Sequence, residues 1–372
     1  MVDEVPKCPI ILLVDWQFDE QKFWLQPELE KLGFKVNPLG LPNYNLKNHS
    51  IKWRQIILWI DFLKLGWRGA RMAQHNQGVV VTCNFQVGVF ASLSARIVSR
   101  KNQPVIALNM IARTKGFLNQ ILRRLVYQTA FMSDQLLLTV NAPELRAQYL
   151  ETFKIQPENI SVLHDPWWPS YQVSLPNLND EEFVFSGGEA ARDWETLLSV
   201  AAACPEIRFK VVARRKNWAP TRNVTSNVDV LFDTSPEEFF SMAARSRLII
   251  LPLVSKVTAG LIVLIKSILM GKMVIATETP ATSPYYPNDC QDLLIPESDV
   301  ETMISRLKYY WINHEARLNK ATNVQTHVIQ HFSPEAYAKE VSNLIAKVSP
   351  PAQAGKFADV NCSKSEAHYS SK

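Results

Sequence analysis

The sequence has no C-x-x-C pair and no H-E-x-x-H, and no D-x-D stands where a metal site would use it. Its five cysteines, Cys8, Cys83, Cys204, Cys290 and Cys362, are scattered and odd in number. That argues against a disulfide framework and a thiolate zinc site, and it makes the reducing cytoplasm the expected compartment. His327 and His331 stand four apart, but the residues between them are Val, Ile and Gln, so they read as ordinary helix residues rather than metal ligands. The first residues, MVDEVPKCPIILLV, put acids before a short apolar run and carry no cleavage pattern, so they do not read as a signal peptide. The apolar run from Leu248 to Gly271 is interrupted by Pro252, Lys256 and Lys266, which argues against a membrane span. Charged residues make up only 20% of the chain and apolar residues 47%, the balance of a globular protein, and 372 residues suffice for two domains. A net charge of +5 is too mild to imply a nucleic-acid partner, and no nucleic-acid motif accompanies it.

Acids are also scarce between Ile51 and Arg71, where Asp61 stands alone among Lys52, Arg54, Lys64, Arg68 and Arg71. Trp53, Trp59 and Trp67 are interleaved with these cations. Two readings fit the stretch. One is a core helix with a basic solvated edge. The other is a surface that leans on an anionic membrane, with tryptophans at headgroup depth. Residues 115–129 form a second basic amphipathic stretch, with Leu118, Ile121, Leu122 and Leu125 on one face.

Elsewhere short β-branched runs alternate with helical periods. Strands are expected at Pro9–Val14, Gly78–Cys83, Pro104–Leu108, Gln135–Val140 and Ile160–Leu163, then at Phe183–Phe185, Arg208–Ala213, Val228–Phe232, Leu248–Pro252 and Met273–Thr277. Such alternation predicts an α/β protein with parallel sheets covered on both faces. A proline- and tryptophan-rich stretch from Asp165 to Pro176 is the expected linker. Residues 1–170 and 171–332 then form two domains, a last helix spans 333–348, and 349–372 are expected to be disordered.

Two stretches carry chemistry. In FVFSGGEAARDWETLL a strand runs into Gly187 and Gly188, a turn that lets a ligand approach the backbone, and Arg192 stands where a helix starts. In VTAGLIVLIKSILMGKMVIAT the small residues Thr258, Ala259 and Gly260 open a helix whose apolar stripe is Leu261, Leu264, Ile265, Ile268 and Leu269. A helix N-terminus offers free N–H groups and about half a positive charge, which suits a phosphate.

The second stretch resembles the donor-sugar motif of GT-B glycosyltransferases, in particular the retaining family 4 enzymes (glycosyl transferases group 1). GG-x-x-x-RDW-x-x-L resembles the turn that opens the donor domain in a subset of them. The resemblance implies two Rossmann-like domains facing each other across a cleft. The first would serve the acceptor, the second would bind a nucleotide-sugar, and the last helix would cross back to the first domain. It implies a metal-independent hexosyltransferase that needs no cofactor and moves a sugar, with retention, to a glycan or lipid-linked acceptor, as in polysaccharide synthesis. Such an enzyme would be cytoplasmic, or peripheral on the inner face of the membrane. Arg192 would grip the donor diphosphate, and Gly187, Gly188, Thr258, Ala259 and Gly260 would form its cradle. Asn109 lies at the acceptor side, where the family often has a histidine. Two positions depart from the pattern: Glu189 replaces an expected arginine and Lys266 an expected glutamate. Lys266 then either contacts donor phosphate or hydroxyl groups or marks a degenerate binding or scaffold protein. A sugar-nucleotide epimerase on the same fold is a further alternative, although the chain lacks an obvious carboxylate and histidine set for it.

Overall fold

The runs Ile10–Val14, Val79–Val81 and Val105–Ala107 carry β-branched and aliphatic side chains that bury on both faces, which only a covered parallel sheet allows. In the computed structural model, which describes residues 8–17, 23–41, 51–98, 103–111, 125–168, 181–254 and 259–348, they become strands of the first of two sheets. Its strands are β1 (Ile10–Gln17), β2 (Val36–Leu41), β3 (Val79–Thr82), β4 (Val105–Ala107), β5 (Leu136–Val140) and β6 (Ile160–Val162), in the order β2-β1-β3-β4-β5-β6. The accompanying helices are α1 (Leu25–Lys31), α2 (Ile51–Asn76), α3 (Phe85–Val98), α4 (residues 125–131) and α5 (Pro143–Phe153).

The second sheet has β7 (Glu181–Gly188), β8 (Arg208–Ala213), β9 (Val228–Phe232), β10 (Ser246–Leu251), β11 (Val274–Thr277) and β12 (Leu294–Ile295), all paired in parallel in the order β12-β11-β10-β7-β8-β9. Its helices are α6 (Trp194–Ala202), α7 (Pro236–Arg245), α8 (Leu261–Leu269), α9 (Val300–Ile312) and α10 (His314–His331). α11 (Pro334–Val348) ends the described chain. Caps fix where several of these start. Ser235 Oγ accepts from Glu238 N at 3.2 Å at the head of α7, and Asp193 Oδ1 accepts from Thr196 N at 3.0 Å at the head of α6.

The described residues divide into two units. One comprises those up to Thr139 together with Tyr149–Ser161 and those from Ala338 on; the other is Val140–Gln148 and the described part of Val162–Tyr337. The proline-rich stretch 169–180 and the tail 349–372 lie outside the described residues, as do 112–124 of the second basic stretch. Among the described residues no helix is long and apolar enough to cross a membrane.

Inside the first unit, α2 continues five residues past Arg71 and packs closely on its neighbours through two glycines. A Cβ on Gly66 would sit 2.7 Å from the Ala91 backbone N in α3, and one on Gly69 would sit 2.7 Å from Leu13 Cδ1 in β1. Alanine favours a helix interior by about 1 kcal/mol over glycine. Gly66→Ala is nevertheless expected to lose about 1–3 kcal/mol, because backbone rather than a flexible side chain must give way. Urea unfolding measures this directly.

Candidate functional site

In an open α/β sheet, ligands bind beyond the carboxyl ends of the strands where strand order reverses. In the second sheet that point lies between β7 and β10, since the chain steps from β7 to β8 in one direction and places β10 on the other side. The two loops that leave these strands are tied together. Arg192 and Leu253 form an antiparallel bridge, Asp193 N donates to Pro252 O at 3.1 Å, and Val254 N donates to Ala191 O at 3.0 Å.

This stitching places the Arg192 side chain against the glycine turn. Its Nε donates to Gly187 O at 2.7 Å and its Nη1 to Ala190 O at 2.9 Å. Gly188 adopts φ +131°, and a Cβ there would lie 2.0 Å from Arg192 Nη2, so only glycine leaves room for the guanidinium. Across the site Gly260, at φ +89°, is the N-cap of α8. A Cβ there would be 3.2 Å from Arg192 Nη1. Gly260 makes no side-chain cap, so among the described residues no side chain caps the first N–H groups of α8.

Arg192 therefore stands between the turn and the positive end of a helix. Among the described residues no carboxylate pairs with it. Burial pulls its pKa down to about 10, which still leaves it cationic at neutral pH. A partly buried cation beside a helix N-terminus is electrostatically unfavourable until an anion arrives. With Nε and Nη1 already donating to carbonyls, the arrangement leaves Nη2 and a remaining Nη1 N–H, close to the head of α8, as donors from which an anion such as a phosphate can accept. The structure brings Arg192, Gly187, Gly188 and Gly260 together, with Ala259 adjoining. Thr258 lies outside the described residues.

The helix begins at Leu261, three residues later than Thr258. Lys266 sits in the second turn of α8, and no hydrogen bond or ring contact joins it to Arg192. Its Nζ lies 3.9 Å above the Phe240 ring of α7. Burial lowers the Lys266 pKa, with the nearby Glu237 charge opposing. Glu189 is turned away from the cradle: Arg214 Nε donates to its Oε1 at 2.5 Å, and Asn217 Nδ2 donates to its carbonyl at 2.8 Å. The acid that replaces an expected base thus has its own cation. Beyond β8 and β9, Arg215 lies 4.3 Å over the Phe232 ring, and Trp218 packs on both Trp194 and Phe232. These aromatic groups carried no signal in the sequence beyond their type.

In the first sheet the strand order reverses between β1 and β3. Asn84 Nδ2 donates there to Asp15 Oδ2 at 2.6 Å. Asp15 lies near the end of β1 and Asn84 just past β3, and no local pattern in the sequence pairs them. Burial first and the Asp15 charge second push the thiol of the neighbouring Cys83 well above the ordinary cysteine pKa. Asn109, at the end of β4, has φ 54°, a conformation that asparagine tolerates better than most residues. Its backbone N donates to Thr139 Oγ1 at 2.9 Å, and its Oδ1 is buried with no hydrogen-bond partner. An orphaned buried acceptor of this kind suits a ligand hydroxyl.

Among the described residues no three His, Cys, Asp or Glu side chains cluster as metal ligands would. His327 Nε2 donates to Pro284 O at 3.0 Å, and its ring lies 4.7 Å from that of His331.

No protein-family model matches the chain, and no curated protein matches it. Solved structures do. A glycosyltransferase from Rickettsia africae is 12% identical with a TM-score of 0.60, covering 92% of this chain and 98% of its own. Sucrose-phosphate synthase from Thermosynechococcus elongatus is 13% identical with a TM-score of 0.62, covering 91% and 99%. Anabaena HepE in complex with UDP and glucose is 12% identical with a TM-score of 0.57, covering 91% and 100%. At these identities the likeness is one of architecture, and it agrees with the two six-stranded sheets and their helices: the chain has the α/β fold of the GT-B glycosyltransferases.

Proposed function

We propose that the chain is a retaining glycosyltransferase that moves a hexose from a nucleoside-diphosphate donor to a glycan or lipid-linked acceptor without a metal ion. One observation carries this reading: the Arg192 guanidinium lies without a carboxylate partner between the Gly187–Gly188 turn and the uncapped N-terminus of α8. When the bond from the anomeric carbon to the donor phosphate breaks, negative charge grows on the departing diphosphate. A preorganised cation and aligned N–H groups stabilise that charge more in the transition state than in the ground state. The new bond forms to an acceptor hydroxyl, whose proton leaves with the diphosphate. Asn109 Oδ1 serves the acceptor side. The resemblance to HepE, a structure holding UDP and glucose, supports UDP as the first nucleotide to try.

A second reading has its own support. Lys266 rests on Phe240 where the resembling enzymes carry a glutamate, and a chain without that carboxylate would hold a donor without turning it over. Titration calorimetry with UDP- and GDP-sugars, paired with a donor-hydrolysis assay, separates the two. Binding with slow hydrolysis is the result expected of the enzyme. Binding with no hydrolysis, unchanged in Lys266→Glu, identifies a binding protein. No binding of either donor class removes both readings.

A further inference from the structure

Among the described residues, the outer face of α2 is apolar where solvent would ordinarily select polar side chains. Ile56, Ile60, Leu63 and Trp67 are 49%, 46%, 47% and 37% exposed. At 100° per residue their spacing of four, three and four positions confines them to an arc of roughly 60°, a single ridge along three turns. Ile97, at the end of α3, is 74% exposed. Trp59 does not join the ridge, because it packs edge-on against Phe90 of α3 at 5.6 Å. The side chains of Trp53 and Arg54 lie outside the described residues. Among the described side chains the ridge is therefore aliphatic, with one tryptophan.

Charge is distributed unevenly around this ridge. Lys64, Arg68 and Arg71 are exposed along one flank. From Ile56 to the end of α2 the one acid is Asp61, which is buried and lies 3.8 Å from Lys64. α3 contributes the exposed Arg96 and no acid. Beside the ridge, α2, α3 and the end of β2 enclose a groove of about 630 Å³ lined by Leu41, Leu63, Trp67, Leu93 and Ile97, with Lys64, Arg68 and the Asp61 that faces Lys64 also on its wall.

The geometry points to a docking face for an anionic lipid bilayer: the ridge enters the acyl boundary, the cationic flank meets lipid phosphates, and the groove takes an acyl segment. A second copy of the chain fits less well. A symmetric interface must be self-complementary, and among the described residues α2 and α3 bring four cations to this face and one acid, Asp61, which already faces Lys64. A nucleic acid would satisfy the cations but leave the four ridge side chains in water. Amphipathic binding of this kind gains from both buried apolar area and lipid charge. The inference does not depend on whether the chain transfers sugars.

Flotation of the full chain with vesicles tests it. Phosphatidylcholine vesicles containing phosphatidylglycerol are expected to carry the protein upward, and pure phosphatidylcholine vesicles to leave it behind. Ile60→Asp with Leu63→Asp should weaken binding at least tenfold. Lys64→Glu with Arg68→Glu should weaken it by at least fivefold for each cation removed, less at high salt. All of these positions except Lys64 and Arg68 are apolar and outward-facing, so melting curves should stay close to the wild type. Ile312→Asp, at a residue 76% exposed on α9, is the control and should float normally. The proposal is overturned if the chain floats with neither vesicle, or floats equally with both. It is also overturned if the ridge and charge variants float like the wild type, or if the ridge variant dissolves a dimer, which would give the ridge to a second copy.

Discussion

Arg192→Ala is expected to raise the dissociation constant for UDP by about 10- to 100-fold and to abolish donor hydrolysis. Each charge-assisted hydrogen bond to phosphate contributes about 1.5–3 kcal/mol, and 1.4 kcal/mol is a factor of ten. The free protein should scarcely change in stability. It loses bonds to Gly187 O and Ala190 O, but it also loses the cost of holding a partly buried cation without a carboxylate partner. This separation of binding from stability distinguishes a ligand-gripping arginine from a structural one. Arg192→Lys keeps the charge without the fork and should fall between the two. Calorimetry and a urea melt on the same three proteins decide the matter.

Gly188→Ala should damage binding almost as much, through Arg192 rather than through a contact of its own. The new Cβ would overlap Nη2, at 2.0 Å, in a backbone conformation of φ +131° that side chains avoid. The strain costs about 1–3 kcal/mol of stability. The guanidinium is the flexible partner, so it moves, and the fork leaves the turn. A double-mutant cycle exposes this. In the Arg192→Ala background, Gly188→Ala should cost little further affinity, a coupling well beyond the 0.3–0.5 kcal/mol scatter expected of independent sites. Additive losses would mean that the turn binds the ligand by itself.

The sequence disclosed the parts of this site that depend on local chemistry. Glycines at strand and helix ends, a β-branched rhythm and an arginine before a helix are short-range signals, and β8 and β9 fall where those signals put them. It did not disclose direction. Trp59 and Trp67 look alike in the chain, yet one packs on Phe90 and the other faces out, a difference that depends on how α2 lies on α3, which is distant in sequence. Lys266 lies well off the apolar stripe of its helix, but that it would rest on Phe240 depends on α7, which is distant in sequence. The Asp15–Asn84 pair joins residues 69 positions apart through the reversal of strand order, which no periodicity reports. Glu189 puts an acid beside a turn where the resembling family has an arginine. Its partner Arg214 sits at the end of the next strand and neutralises it there.

A crystal structure of the full chain with UDP bound tests the central claim most directly. The account predicts the diphosphate seated over Gly187 and Gly188, within hydrogen-bonding distance of the Arg192 fork and the first N–H groups of α8. A nucleotide bound elsewhere, or an Arg192 side chain swung into bulk water with that pocket empty, would contradict it.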